Sequence, residues 1–143
     1  METLELYQIA DENDIPVIML DVPESGSMCI QTSLRCYIGM DNSVLDCEAV
    51  RRVHLGHELG HCTTGAFYNI HAARDVRQKH ENRADKWAIK KLIPKDELAK
   101  AVASGLAEPW ALAEYFDVTE DFMRKAICWY NYGTLDTSQY FPL

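Results

Sequence analysis

Residues 57–61 read His-Glu-Leu-Gly-His, two imidazoles four apart with a carboxylate beside the first. On an α-helix, residues four apart differ by about 40° in azimuth and one turn in height, so His57 and His61 converge on one point. Two imidazole nitrogens so placed suit a tetrahedral divalent ion with metal–nitrogen bonds near ~2 Å. The carboxylate of Glu58 then reaches a water on the metal rather than the metal itself, which is the general-base position of a metallohydrolase. A catalytic zinc takes three protein ligands and keeps one position open, so a third ligand is needed. The downstream candidates are His71, Asp75, His80, Glu81 and Asp85. A third histidine spaced as in H-E-x-x-H-x-x-G-x-x-H is excluded, because Thr64 and Phe67 stand where Gly and His would have to be.

The run Glu81-Asn82-Arg83-Ala84-Asp85 favours Glu81 as the third ligand. Its E-x-x-x-D spacing puts both carboxylates on one helical face. Asp85, one turn on, can accept the free N–H of a ligating imidazole, fixing its tautomer and raising its basicity. His80 points about 100° away from Glu81 on the same helix and reads as a surface histidine. His54 reads as packed or hydrogen-bonded. Tyr68 and His71 read as space-filling loop residues, with stabilisation of an oxyanion as their alternative role.

Two helices must carry these groups. Val50, Val53, Leu55, Leu59 and Cys62 recur near a 3.6 period and predict a helix over about 44–64. Asp41-Asn42-Ser43 offers its N-cap and Gly65 its stop. A loop through Tyr68-Asn69-Ile70 leads to a second helix over about 76–92, ended by Pro94. Ala84 and Ala88 are small enough to let it approach the first helix closely. Upstream, the first dozen residues predict a helix with Leu4, Tyr7 and Ile9 or Ala10 as its apolar side. Strands follow over 17–20, 28–31 and 35–40, with a turn at 23–27. Downstream, helices are expected over 95–104, over 109–116 with Pro109 in its first turn, and from a Thr119 cap to about 130. The expected fold class is α+β, a mostly helical single domain with a small antiparallel three-stranded sheet before the H-E-x-x-H helix. That domain spans 1–143, with the motifs in 45–94, a helical segment over 95–131 and a loose tail over 132–143.

The chain of 143 residues is 48% apolar and 25% charged, the proportions of one ordinary globular domain. Fourteen Lys plus Arg against 22 Asp plus Glu give a net charge of −8, which repels phosphate backbones and anionic membrane surfaces. The apolar run at 15–20 is far too short to span a bilayer. No cationic region followed by an apolar one opens the chain, so no signal peptide is expected and the cytoplasm is the expected compartment. Cys29, Cys36, Cys47, Cys62 and Cys128 are scattered, without a C-x-x-C pair. Free thiols are the expectation, and a cysteine-based zinc site is disfavoured.

Two segments together resemble the ImmA/IrrE family of metallopeptidases, carried by prophages and other mobile elements. They are R-V-H-L-G-H-E-L-G-H-C-T-T at 52–64 and E-N-R-A-D-K-W-A-I-K-K-L-I-P at 81–94. A weaker third match is L-A-E-Y-F-D-V-T at 112–119. The resemblance covers about residues 45–130, within the broader gluzincin group, whose ligand set is that of thermolysin-like enzymes. It implies a zincin-like fold and one Zn2+ per chain held by His57, His61 and Glu81. It further implies Glu58 as general base, Asp85 hydrogen-bonded behind a ligand, and a helix-turn-helix transcriptional repressor as protein substrate. Arg83 departs from the pattern, since many relatives carry a second Glu there.

The main competing class is a DNA- or protein-binding regulator in which the metal is structural. Residues 111–129 read as helix, turn, helix. The second of these helices carries Glu120, Asp121, Arg124 and Lys125, however, with no net charge to bring to phosphates. The presence of Glu58 and a ligand set that leaves one position open both favour the enzyme.

Overall fold

A computed structural model describes residues 1–68, 71–138 and 140. The chain is α+β, with helices α1 (Thr3–Glu12), α2 (Glu48–Thr64), α3 (Arg74–Leu92), α4 (Lys95–Ala103), α5 (Pro109–Phe116) and α6 (Glu120–Tyr132). Strands β1 (Val17–Met19), β2 (Ser27–Gln31) and β3 (Cys36–Met40) lie between α1 and α2. A short 3₁₀ turn, Asn42–Val44, precedes α2, which begins at Glu48, about four residues later than the sequence predicts. The Asp41 side chain caps that turn by accepting from the Ser43 N–H. Gly65 ends α2 in the left-handed conformation (φ +68°), and the Thr119 hydroxyl caps α6 by accepting from the Phe122 N–H.

The sheet order is β1-β3-β2, and the sheet is mixed rather than antiparallel. β2 and β3 pair antiparallel as expected, but β1 pairs with β3 in parallel, Val17 opposite Ile38 and Met19 opposite Met40. The reason lies in the crossing segment 20–26. The Val22 N–H donates to the Asp41 carboxylate, and the Asp41 N–H donates to the Gly26 carbonyl. The chain therefore passes the end of β3 and returns on its far side, leaving β3 in the middle.

One core unites these elements, with Leu6, Ile38, Leu55, Leu59, Ile89, Leu92 and Met123 all fully buried. The α2–α3 contact is the most extensive in the fold. A Cβ at Gly60 would stand 2.5 Å from the Ala84 carbonyl oxygen and 2.9 Å from its Cα. At Gly56 it would stand 3.4 Å from the Ala88 Cβ. The small residues expected on α3 thus meet glycines on α2, and backbone touches backbone just where the metal-binding candidates lie.

Arg52 is a buried cation inside the apolar stripe of α2. Its guanidinium donates to the carbonyls of Met1, Phe116 and Asp117, tying the N-terminus and the α5–α6 turn to α2. The expectation of free thiols fails at one pair, because Cys36 and Cys62 form a disulfide. The partners are 26 residues apart, and only the packing of α2 on the sheet brings their Cα atoms to 6.0 Å. Cys29, Cys47 and Cys128 are free. Asn69 and Ile70 of the expected loop, and residues 139 and 141–143 of the expected tail, lie outside the described residues. α6 takes in the first residue of the expected tail, Tyr132; over the described residues 133–138 and 140 no helix or strand forms, and the Tyr140 ring stacks on Tyr132 at 3.9 Å. No helix among the described residues is long and apolar enough to cross a membrane.

Candidate metal centre

His57 and His61 project from α2 toward Glu81 on α3. Their Nε2 atoms lie 3.1 Å apart, and the Glu81 carboxylate stands 2.8 Å from the first and 3.3 Å from the second. Among the described residues this is the only group of three such side chains whose candidate ligand atoms all lie within 4.8 Å of one another. What stands behind each imidazole decides its tautomer. The Nδ1 of His57 is 2.7 Å from Asp85 Oδ1, and that of His61 meets the Ala66 carbonyl. Both partners are acceptors, so in the neutral imidazoles both Nδ1 atoms carry the proton and both Nε2 atoms present lone pairs. Two lone pairs and a carboxylate facing one point repel one another unless a cation lies between them.

The charges agree with a divalent ion. Glu58, Glu81 and Asp85 bring three negative charges, and Lys125, whose Nζ is 3.2 Å from Asp85 Oδ2, brings one positive. With neutral imidazoles the network carries two net negative charges. The donor set of two imidazoles and a carboxylate suits zinc and its neighbours rather than calcium or magnesium.

Without a metal, protons serve as the cation. Burial works against the His57 imidazolium, but hydrogen bonds to Asp85 and Glu81 outweigh it and lift the group to about 10. Burial likewise opposes the His61 imidazolium, and bonds to Glu81 and the Ala66 carbonyl raise it nonetheless. Burial favours protonation of Glu81, yet hydrogen bonds from His57, His61 and Tyr68 hold it far below the usual carboxylate range. Asp85 is lowered against its own burial by His57 and Lys125.

No protein family, curated protein or solved structure matches the chain. The site must therefore be understood from its own geometry.

Glu58 behaves differently from the other acids. It is buried, one oxygen lies 3.8 Å from His57 Nε2, and the other has no hydrogen-bond partner. Burial pushes its carboxyl upward, although the two imidazoles pull it back. An unpartnered buried carboxylate oxygen beside the three convergent ligands is an acceptor with no proton to accept from this chain, as a general base would be.

A cleft of about 780 Å³ opens over the site, walled by β2, α2, α3, the loop after α2 and the first turns of α6. Val53, Phe67 and Phe122 are its apolar lining beside the polar cluster. Tyr68 does more than fill space, since its hydroxyl donates to Glu81 Oε1 at 2.8 Å. His54 is hydrogen-bonded as expected, its Nδ1 2.7 Å from the Ser27 hydroxyl. His80 is half-buried with its ring 6.0 Å from that of Tyr68, and it lies outside the ligand trio. His71 and Asp75 do not line the cleft. Cys29 lines it, but burial and the nearby Glu58 and Glu81 push its thiol up to about 12, which removes any thiolate nucleophile. Sequence reasoning missed Lys125, which it counted only toward the zero net charge of α6. The available signal was its place one residue before Ala126, on the edge of the buried face of that helix.

Proposed function

We propose that this protein is a zinc-dependent endopeptidase of the ImmA/IrrE type that cleaves a regulatory protein, with a helix-turn-helix repressor as its substrate. The observation that carries the reading is the unpartnered, buried Glu58 oxygen beside the convergent His57, His61 and Glu81. Those three residues would hold the ion, with Asp85 and the Ala66 carbonyl fixing the imidazoles. A zinc ion held there supplies Lewis acidity, polarising the scissile carbonyl and making a water acidic enough to attack near neutral pH.

Glu58 accepts a proton from the attacking water and delivers it to the leaving amine nitrogen. Tyr68, whose hydroxyl donates to Glu81 at the cleft, would donate to a developing oxyanion only by exchanging that partner. Val53, Phe67 and Phe122 offer an apolar seat for a substrate side chain next to the bond being cut.

The DNA-binding alternative is disfavoured by a specific pair of contacts. Lys125 is committed to Asp85, and Arg124 Nη2 to Glu120 at 2.6 Å. The two cations of α6 therefore lie in ion pairs and are not presented to a phosphate backbone. The test is incubation of the purified protein with repressors encoded beside its gene. Discrete repressor fragments, abolished by a chelator and restored by added Zn2+, are expected. Intact repressor together with a salt-sensitive shift of duplex DNA would replace this reading with the alternative.

A further inference from the structure

Asp85 has two oxygens and two different partners. Oδ1 is held by His57 Nδ1 at 2.7 Å, while Oδ2 is held by Lys125 Nζ at 3.2 Å. Asp85 is only 8% exposed, so water is a poor substitute for the ammonium. Lys125 comes from a part of the fold remote in sequence. Phe122, Met123 and Ala126 bury the inner face of α6, and Lys125 leaves that face into the cleft. This hairpin has further polar attachments: the Tyr130 hydroxyl donates to the Ile93 carbonyl, and Arg52 holds the Phe116 and Asp117 carbonyls at the α5–α6 turn. Arg52 anchors the turn, and Lys125 anchors the helix to the metal-binding side chains.

Resting on the metal-binding reading above, we infer that Lys125 is a positioning residue of the metal centre and that it makes the α5–α6 hairpin part of that centre. Its ammonium fixes Asp85 in the rotamer that aims Oδ1 at His57. Asp85 in turn holds the His57 ring with Nε2 toward Glu81. Without the ammonium, Oδ2 loses the donor that holds it at the cleft wall, and the carboxylate is free to turn. The imidazole then loses its fixed partner. Partners of this kind behind a ligand are worth roughly 10- to 100-fold in metal affinity, and one layer further out the lower end applies.

Coupling between hairpin and metal is reciprocal. Whatever factor α6 docking adds to metal affinity, the metal adds to α6 docking. A second consequence is one of sign. Taken as a bare positive charge, Lys125 repels a cation, and its removal would tighten metal binding. Taken as a positioning group, its removal weakens binding.

The experiment is a Zn2+ titration of the purified full-length chain against a chromogenic chelator, for the unaltered protein, Lys125→Met and Lys125→Arg. Amide hydrogen exchange across α6 is followed with and without Zn2+. Lys125→Met is expected to bind Zn2+ about 10-fold more weakly, and Lys125→Arg to remain within about threefold of the unaltered protein. Zn2+ is expected to slow exchange in α6 of the unaltered protein, and to do so about 10-fold less in Lys125→Met. Unchanged or tighter Zn2+ binding by a folded Lys125→Met overturns the inference while leaving the metal reading intact. Failure of the unaltered protein to bind Zn2+ overturns both.

Discussion

Gly60→Ala adds one methyl group at the closest point between the two helices that carry the metal-binding residues. The new Cβ would meet Ala84 backbone atoms at 2.5, 2.9 and 3.0 Å. Backbone cannot swing aside as a side chain can, so the helices must part by roughly 1 Å to restore ordinary contact. Intrinsic helix propensity favours alanine over glycine by about 1 kcal/mol. Overpacking opposes it with about 1–3 kcal/mol, so the net effect is a loss of up to about 2 kcal/mol. For a domain of this size that lowers Tm by several degrees, roughly 2–8 °C. The larger effect falls on the metal. His61 adjoins Gly60, and Glu81 lies one turn before Ala84, so the gap opens between ligands whose distances tolerate only about 0.2 Å of error. Zn2+ affinity is expected to fall by at least about 10-fold, read by chelator competition alongside thermal unfolding. Gly65→Ala is the control. Gly65, unlike the helical Gly60, has a positive φ (+68°), and nothing lies within 4 Å of an added Cβ. That variant should lose about 1 kcal/mol to backbone strain and keep its Zn2+ affinity. A Gly60→Ala protein that is more stable than its parent and binds Zn2+ equally well would refute the close-packing argument.

Three further outcomes are expected. Glu81→Ala should lose stoichiometric Zn2+ binding, measured by elemental analysis after gel filtration, whereas His80→Ala should retain it; equal losses would mean that the wrong face of α3 has been assigned. The metal-free protein should show a pH-dependent stability set by His57, which is raised from 6.5 to about 10. A group raised on folding stabilises fully below its unfolded value and ceases to do so as pH climbs through the folded one, so Tm without metal should fall between about pH 6.5 and 10. Glu81 and Asp85, both depressed, add a fall on the acid side, and a metal-free Tm that is flat from pH 7 to 10 would contradict the assigned contacts. Thiol titration of the unfolded, unreduced protein should find three free cysteines and, after reduction, all five. Loss of the cross-link over a separation of 26 residues should cost about 3–4 kcal/mol, measured by urea unfolding, and five thiols before reduction would remove the disulfide from the structure.

The convergence of the candidate ligands was legible because it is local. His57, His61, Glu81 and Asp85 stand at helical spacings within two helices, and the position of each side chain follows from periodicity alone. The contact between those helices was half legible, with Ala84 and Ala88 recognisable as small but Gly56 and Gly60 unremarked as their counterparts. What depends on long-range placement was not legible. The direction of β1 is set by how residues 20–26 cross the end of β3, a path invisible to strand propensity. Cys36 and Cys62 carry no spacing signal, and only the docking of α2 on the sheet makes them partners. Arg52 and Lys125 look like surface charges until their acceptors, all more than 35 residues away, are known. Arg52 could have been suspected, since it shares its helical stripe with Leu55 and Leu59. Tyr68 belonged to a loop, where periodicity says nothing about direction.

The measurement that bears most directly on a Glu58-driven zinc peptidase is made on Glu58→Gln. The amide keeps the size of the side chain and removes the base. Elemental analysis should return one zinc per chain for both Glu58→Gln and the unaltered protein. Cleavage of the repressor substrate should fall by about two to four orders of magnitude in the variant, with binding of that substrate preserved. A Glu58→Gln protein that keeps its zinc and cleaves at the parental rate would contradict the role of Glu58. Loss of zinc from that variant would make Glu58 part of the metal's own ligand set instead.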